Sequence, residues 1–358
     1  MNEDVIEQEL EGEIKTKDQL ELFYSQGYRN SRVAYLRLIL MVFVCFWNFG
    51  SPEPTGILSA ISGFAIPCFY ILSGYFILPA DKGKRIEKTK RKIKRSFLCF
   101  AFMLVLYILI NVIVCVINNL KISVSPRILF NFLVLDLWPY YIGSNIWFIE
   151  AMICAYIVIF VAEKLNLMRY YKAVLIITLI FMLLSGEFAG IIHFNILGYP
   201  YIPGNWLTRA LPYILLGKFL REKEELILKT AAWKYIAIWI VGAGMAIAEL
   251  YLLGRSGYLV YEGHMLGYGI MAVAACGLVL SKPVGRETPT TAFITHFDPV
   301  LSGVIYMLMD PLFYIIGLFL GGDYIGFIYY FGGLTALAVS IMIACMIKNF
   351  KPLKAFYS

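Results

Sequence analysis

Long apolar stretches separated by short polar ones dominate the chain from residue 33 onward. A helix needs about 20 apolar residues to cross roughly 30 Å of hydrocarbon. Runs near that length predict membrane-spanning helices at 33–50, 57–79, 97–118, 146–165, 173–193, 206–221, 233–253, 265–281, 291–309 and 324–347. The sixth is short and would be completed by tilt or bilayer thinning. The predicted fold class is thus an all-α integral membrane bundle of about ten transmembrane helices. Residues 1–32 read as a polar, acidic cytoplasmic extension, 33–348 as one transmembrane domain and 349–358 as a cytoplasmic tail.

Charge orients this bundle. Nine Lys and Arg lie between Lys82 and Arg95, after the second span. Further basic residues follow the fourth, sixth, eighth and tenth spans, including Arg169, Lys172, Lys218 and Arg221. The interiors of the intervening loops hold only Lys121, Arg127 and Arg255. Lys and Arg favour the cytoplasmic side, so both termini are expected there. The net charge of +7 therefore reports orientation and gives no reason to expect a nucleic-acid partner.

Composition agrees with a lipid setting: 60% of the 358 residues are hydrophobic and 15% charged, where soluble domains carry about 25%. Residues 1–32 hold eight acidic residues between Glu3 and Glu21 and no apolar core segment. The first span is therefore expected to serve as its own uncleaved insertion signal. The stretch from Asp18 to Tyr28 is a candidate interfacial helix. Seven cysteines sit in or beside apolar runs without a CxxC spacing, so no disulfide framework is expected. No metal-ligand spacing, phosphate loop or dinucleotide fingerprint is present.

Ionisable groups inside hydrocarbon are expensive and mark candidate sites. The spans hold Arg37, Glu150, Glu187, Arg209, Glu249, His296 and Asp298. Arg37 and Asn48 are eleven residues apart, about 20° past three turns, so they share a face some 16 Å apart along the axis. Arg37 reads either as a snorkelling anchor or as a functional cation. Trp147 suits an interfacial aromatic belt, but Glu150, three residues on, needs a partner, water or a proton. His296 is a possible proton carrier near neutral pH. Pro67, Ser73 and Gly74 in the second span suggest a kink and close helix packing.

The ordered set Arg37-x10-Asn48, Pro67-Cys-Phe-Tyr-Ile-Leu-Ser73-Gly74, Ile146-Trp147-Phe148, Arg209-Ala-Leu-Pro-Tyr-Ile-Leu-Leu-Gly217 and Phe293-Ile-Thr-His296 resembles membrane acyltransferase family 3 over residues 30–348. The resemblance implies transfer of an acetyl or other short acyl group from cytoplasmic acyl-CoA to a hydroxyl of a cell-envelope or lipid-linked glycan. Acyl-CoA would be a co-substrate, with no tightly bound cofactor and no metal. The resemblance matches Arg37 to the family's first-helix arginine and His296 to its late histidine. Position 48, where the family usually has histidine as the proposed base, is asparagine here, which cannot take a proton at useful pH. Arg37, Asn48, Glu150 and His296 are the expected catalytic residues. Ser73, Trp147, Arg209, Lys92 and Arg95 are the expected binding residues. Ile, Lys, Asn and Tyr usage suits a low-GC bacterium, with the cytoplasmic membrane as the expected location. Two other readings stand beside the enzyme: a non-catalytic relative that binds or helps export a glycan, and a secondary transporter. No internal symmetry supports the transporter.

Overall fold

The computed structural model describes residues 31–49, 57–78, 81–117, 126, 131–132, 145–193, 205–257, 265–281, 303, 305–315 and 325–347. The acidic extension to residue 30, the tail 349–358, most of the loop 119–145 and His296 with Asp298 lie outside these residues. Among the described residues there is no strand, because lipid offers no partners for a free backbone and a helix satisfies its own.

The helices, in chain order, are α1 (Ser31–Phe49), α2 (Ile57–Ser62), α3 (Ala65–Ile77), α4 (Lys82–Ile117), α5 (Ile146–Lys164), α6 (Tyr171–Ser185), α7 (Leu211–Glu222), α8 (Glu224–Lys229), α9 (Ala232–Ser256), α10 (Leu266–Leu280), α11 (Ile305–Ile315) and α12 (Ile325–Ile347). Five described segments are long and apolar enough to cross a membrane: Ala60–Ile77, Lys82–Val116, Ile146–Lys164, Leu167–Ser185 and Ala232–Arg255. Shorter apolar helices include Leu266–Leu280 and Ile305–Ile315.

Three predicted boundaries move. The basic run after the second span is not a loop but the first turns of the 36-residue α4. Lys and Arg are good helix formers, and the helix continues without a breaker into the apolar stretch. The fifth span ends at Ser185, and turns carry the chain to His193. In the ninth predicted span, the described helix Ile305–Ile315 runs past the expected end at 309, and the expected start at 291 lies outside the described residues.

α3 is the centre of the bundle: 78% of the Ala60–Ile77 window is buried, against 17% for Ala232–Arg255. α1, α7 and α10 pack around it. The second span is broken at Gly63–Phe64, between α2 and α3. Pro67 has no N–H to give the carbonyl four residues back, which weakens the helix at that turn. The α3–α7 contact is very close. A Cβ on Gly74 would strike the backbone of Ile214, and one on Gly217 would strike the Ile71 carbonyl oxygen. α9 and α10 pair similarly, with Gly267 facing the backbone of Gly242 and Ala246. Without a hydrophobic drive between helices in lipid, such close approach supplies dispersion contact. On the far side of α9, Ile236, Ile240 and Val241 are exposed, as lipid-facing residues are.

Candidate active site

Two irregular starts position the buried polar groups. At the first turn of α5, the Tyr306 hydroxyl donates to the Asn145 carbonyl (2.5 Å), and the Tyr70 hydroxyl donates to the Phe148 carbonyl (3.2 Å). Tyr70 also stacks on Phe148, with ring centroids 4.7 Å apart. Each carbonyl has a second lone pair beyond its backbone bond, and by using it these hydroxyls fix the turn that carries Trp147.

The sixth span opens with a π-helical turn, Trp206–Ala210. The Asn205 side chain accepts from the backbone N–H groups of Leu207 (2.9 Å) and Thr208 (3.0 Å), and Thr208 Oγ1 accepts from Asn205 N–H (3.1 Å). This capping box satisfies donors that a helix start leaves open. π turns recur at functional sites, and this one carries Arg209. Arg209 is 3% exposed, with its guanidinium carbon 5.1 Å from the Trp147 ring centroid. A desolvated cation over an indole face is held by the ring's quadrupole.

The structure thus brings Trp147 and Arg209 together. Glu150, one turn after Trp147 on the same helix face, is buried at 5% exposure. Tyr213, four residues after Arg209, is also buried and lies within electrostatic reach of Arg209, Glu187 and Glu249. Sequence reasoning passed over Tyr213; its spacing from Arg209 was the available signal.

Glu187 and Glu249 meet at the start of α10. Glu187 accepts from Leu266 N–H (3.0 Å) and Glu249 accepts from Gly267 N–H (3.1 Å), which sets the two carboxyl groups side by side over the first turn of α10. Their carboxylates complete a helix N-terminus, where negative charge is favoured.

The remaining expected residues are more dispersed. Ser73 shares a hydrogen bond with the Tyr156 hydroxyl, between α3 and α5. Arg37 is half-buried on α1. Asn48 is exposed, and its amide donates to the Val44 carbonyl of its own helix (2.8 Å). It therefore stands outside the pair that half-buried Trp147 makes with buried Arg209. Lys92 is half-buried and Arg95 exposed on the basic part of α4. Among the described residues no cluster of His, Cys, Asp or Glu could hold a metal ion.

The fold and this buried ionisable cluster define a multi-pass membrane protein with polar chemistry inside its bundle. A family model described as an acyltransferase domain matches residues 30–347, nearly the whole chain, and the chain belongs to that family, membrane acyltransferase family 3. Comparison with curated proteins and with solved structures gives no match.

Proposed function

We propose that this membrane acyltransferase moves a short acyl group, acetyl foremost, from acyl-CoA to a hydroxyl of a cell-surface or lipid-linked glycan. The proposed location is a bacterial cytoplasmic membrane. The observation that carries the reading is the pairing of buried Arg209 with half-buried Trp147, one turn from buried Glu150, in a chain of this family.

In the proposed reaction the acceptor oxygen bonds to the thioester carbonyl carbon and the carbon–sulfur bond breaks. Glu150 takes the hydroxyl proton and passes it to the departing CoA sulfur. Arg209 steadies the negative charge that gathers on the carbonyl oxygen, a type of stabilisation worth several kcal/mol when preorganised (~3 kcal/mol). Arg37, Lys92 and Arg95 would attract the donor's phosphates from the basic side. Ser73 and Trp147 would line the path, and His296 would serve the donor side. Asn48 cannot take the hydroxyl proton, which leaves that step to Glu150.

The test is release of CoA from acetyl-CoA by full-length protein in lipid nanodiscs, with and without a glycan acceptor. Acceptor-dependent turnover is expected, and Glu150→Gln is expected to lower kcat by about 10²–10⁴-fold, the usual worth of general-base help. Arg37→Ala is expected to raise KM for the donor. Undiminished turnover in Glu150→Gln would sink the assignment of the base.

One observation favours a second reading. Asn48 is exposed and bonded back to its own helix, so the position where the family usually carries its proposed base offers no base here. In that reading the chain binds a glycan or helps its export without turnover. A silent wild type that Asn48→His awakens would establish it.

A further inference from the structure

The end of the bundle that carries the basic residues holds a cleft of about 490 Å³ between the start of α4, the end of α5, the start of α6 and the end of α7. Small-molecule sites occupy roughly 300–1,000 Å³. Five cations and two carboxylates line this one, an excess of three positive charges.

The pairings show which charge is left to bind. Arg85 is committed to Glu163 through two bonds, Nε–Oε1 at 2.5 Å and a second at 3.1 Å, and Glu163 is only 2% exposed. Lys218 donates to Glu222 (2.6 Å) and lies 4.3 Å over the Tyr171 ring. The Tyr171 hydroxyl donates to the same Glu222. These groups form the floor. Lys82 is met by a neutral amide, Asn166 Oδ1. Lys172 reaches Glu222 only at 3.5 Å, and Glu222 is already shared. Arg169 stacks on Tyr170, its guanidinium carbon 4.6 Å from the ring centroid, and is exposed. The cleft therefore has a neutralised floor and a cationic rim.

Its surroundings distinguish the ligand. Leu165 (62% exposed) and Leu167 (48%) stand at its edge, and Ile176, Ile177 and Ile180 continue as an exposed apolar face along α6. A water-soluble anion would leave that face unused. An amphiphile with a phosphate head would use both: head in the cleft, chains along α6. Basic pockets between membrane helices at the cytoplasmic side suit anionic lipid head groups.

We infer that this cleft binds the phosphate head group of an anionic phospholipid, with Arg169, Lys172 and Lys82 as its phosphate-facing cations. It clamps the α5–α6 turn against α4 and α7. The inference concerns residues that the proposed acyl transfer does not use, and its test reads binding rather than turnover.

The experiment is native mass spectrometry of the full chain, titrated with phosphatidylglycerol or with phosphatidylcholine. The comparison is wild type, Arg169→Ala/Lys172→Ala and the control Lys90→Ala/Lys94→Ala, whose cations are exposed on α4 outside the cleft. Each variant is first shown to keep the wild-type melting profile, and the double glutamine variant at the same two positions replaces any that does not. Wild type is expected to prefer phosphatidylglycerol. The cleft double variant is expected to bind it about 30-fold more weakly, and the control within about twofold. No lipid preference, or equal weakening in both double variants, overturns the inference. So does binding of adenosine 3′,5′-bisphosphate that depends on Arg169 and Lys172 while phosphatidylglycerol binding does not, because the cleft would then take a nucleotide.

Discussion

Glu224 sits just beyond α7, where the chain leaves the bundle. The Tyr75 hydroxyl donates to one of its oxygens at 2.9 Å, and Arg221 Nε stands 3.7 Å from the other. That cation is too far to offset what burial does. Burial, followed by the neighbouring Glu225, pushes the carboxyl up to about 7 from an ordinary 4.5. The folded state therefore holds a proton that the unfolded chain releases first. Stability from this group is full below about pH 4.5 and declines as pH rises toward 7, by about 3 kcal/mol at most. Melting in detergent should show wild type losing stability over that window relative to Glu224→Gln. Parallel pH profiles for the two proteins would rule the coupling out. At this same scale, Arg209 and Glu150 were visible as charges inside apolar runs. The indole over Arg209 was not, because it comes from a different span.

Among elements, the α3–α7 contact is the most demanding. Gly74 and Gly217 each face backbone across it, and backbone cannot rotate out of the way as a side chain can. Either glycine changed to alanine must push the two helices apart. Overpacking of this kind typically costs about 1–3 kcal/mol and more where nothing yields. Gly74→Ala and Gly217→Ala are each expected to lower the melting temperature markedly. Gly244→Ala on α9, where a Cβ meets nothing within 4 Å, should not. Equal melting in all three would show that the two helices have room for a methyl group at both glycines. α4 makes a different point about elements. Its hydrophobicity begins near Phe97, so a hydropathy reading starts the span there, yet the helix begins at Lys82. Hydropathy reports where lipid starts, while backbone hydrogen bonding decides where helix starts, and charged residues with good helix propensity keep the two apart.

For the whole molecule, the distribution of Lys and Arg predicts which ends of the helices face the cytoplasm. In a background lacking the native cysteines, Lys88→Cys should react with a membrane-impermeant maleimide only in inverted vesicles. Arg255→Cys, exposed in the last turn of α9, should react only in intact cells. The reverse pattern would invert the bundle and move the basic cleft to the outer face. The sequence by itself determined the membrane class, the approximate helix positions and the family, because hydrocarbon thickness and the cost of buried charge act on local composition. It also singled out Glu150 and Arg209, whose burial is costly wherever they are placed. Only the tertiary structure decided which of these groups meet. Arg209 found Trp147 across two helices, Glu187 and Glu249 converged on the start of α10, and Asn48 turned back onto its own helix. The basic cleft likewise draws on segments from residue 82 to residue 222. Such meetings depend on helix packing and rotation, set by contacts such as Gly74 on Ile214 that a single apolar run does not record.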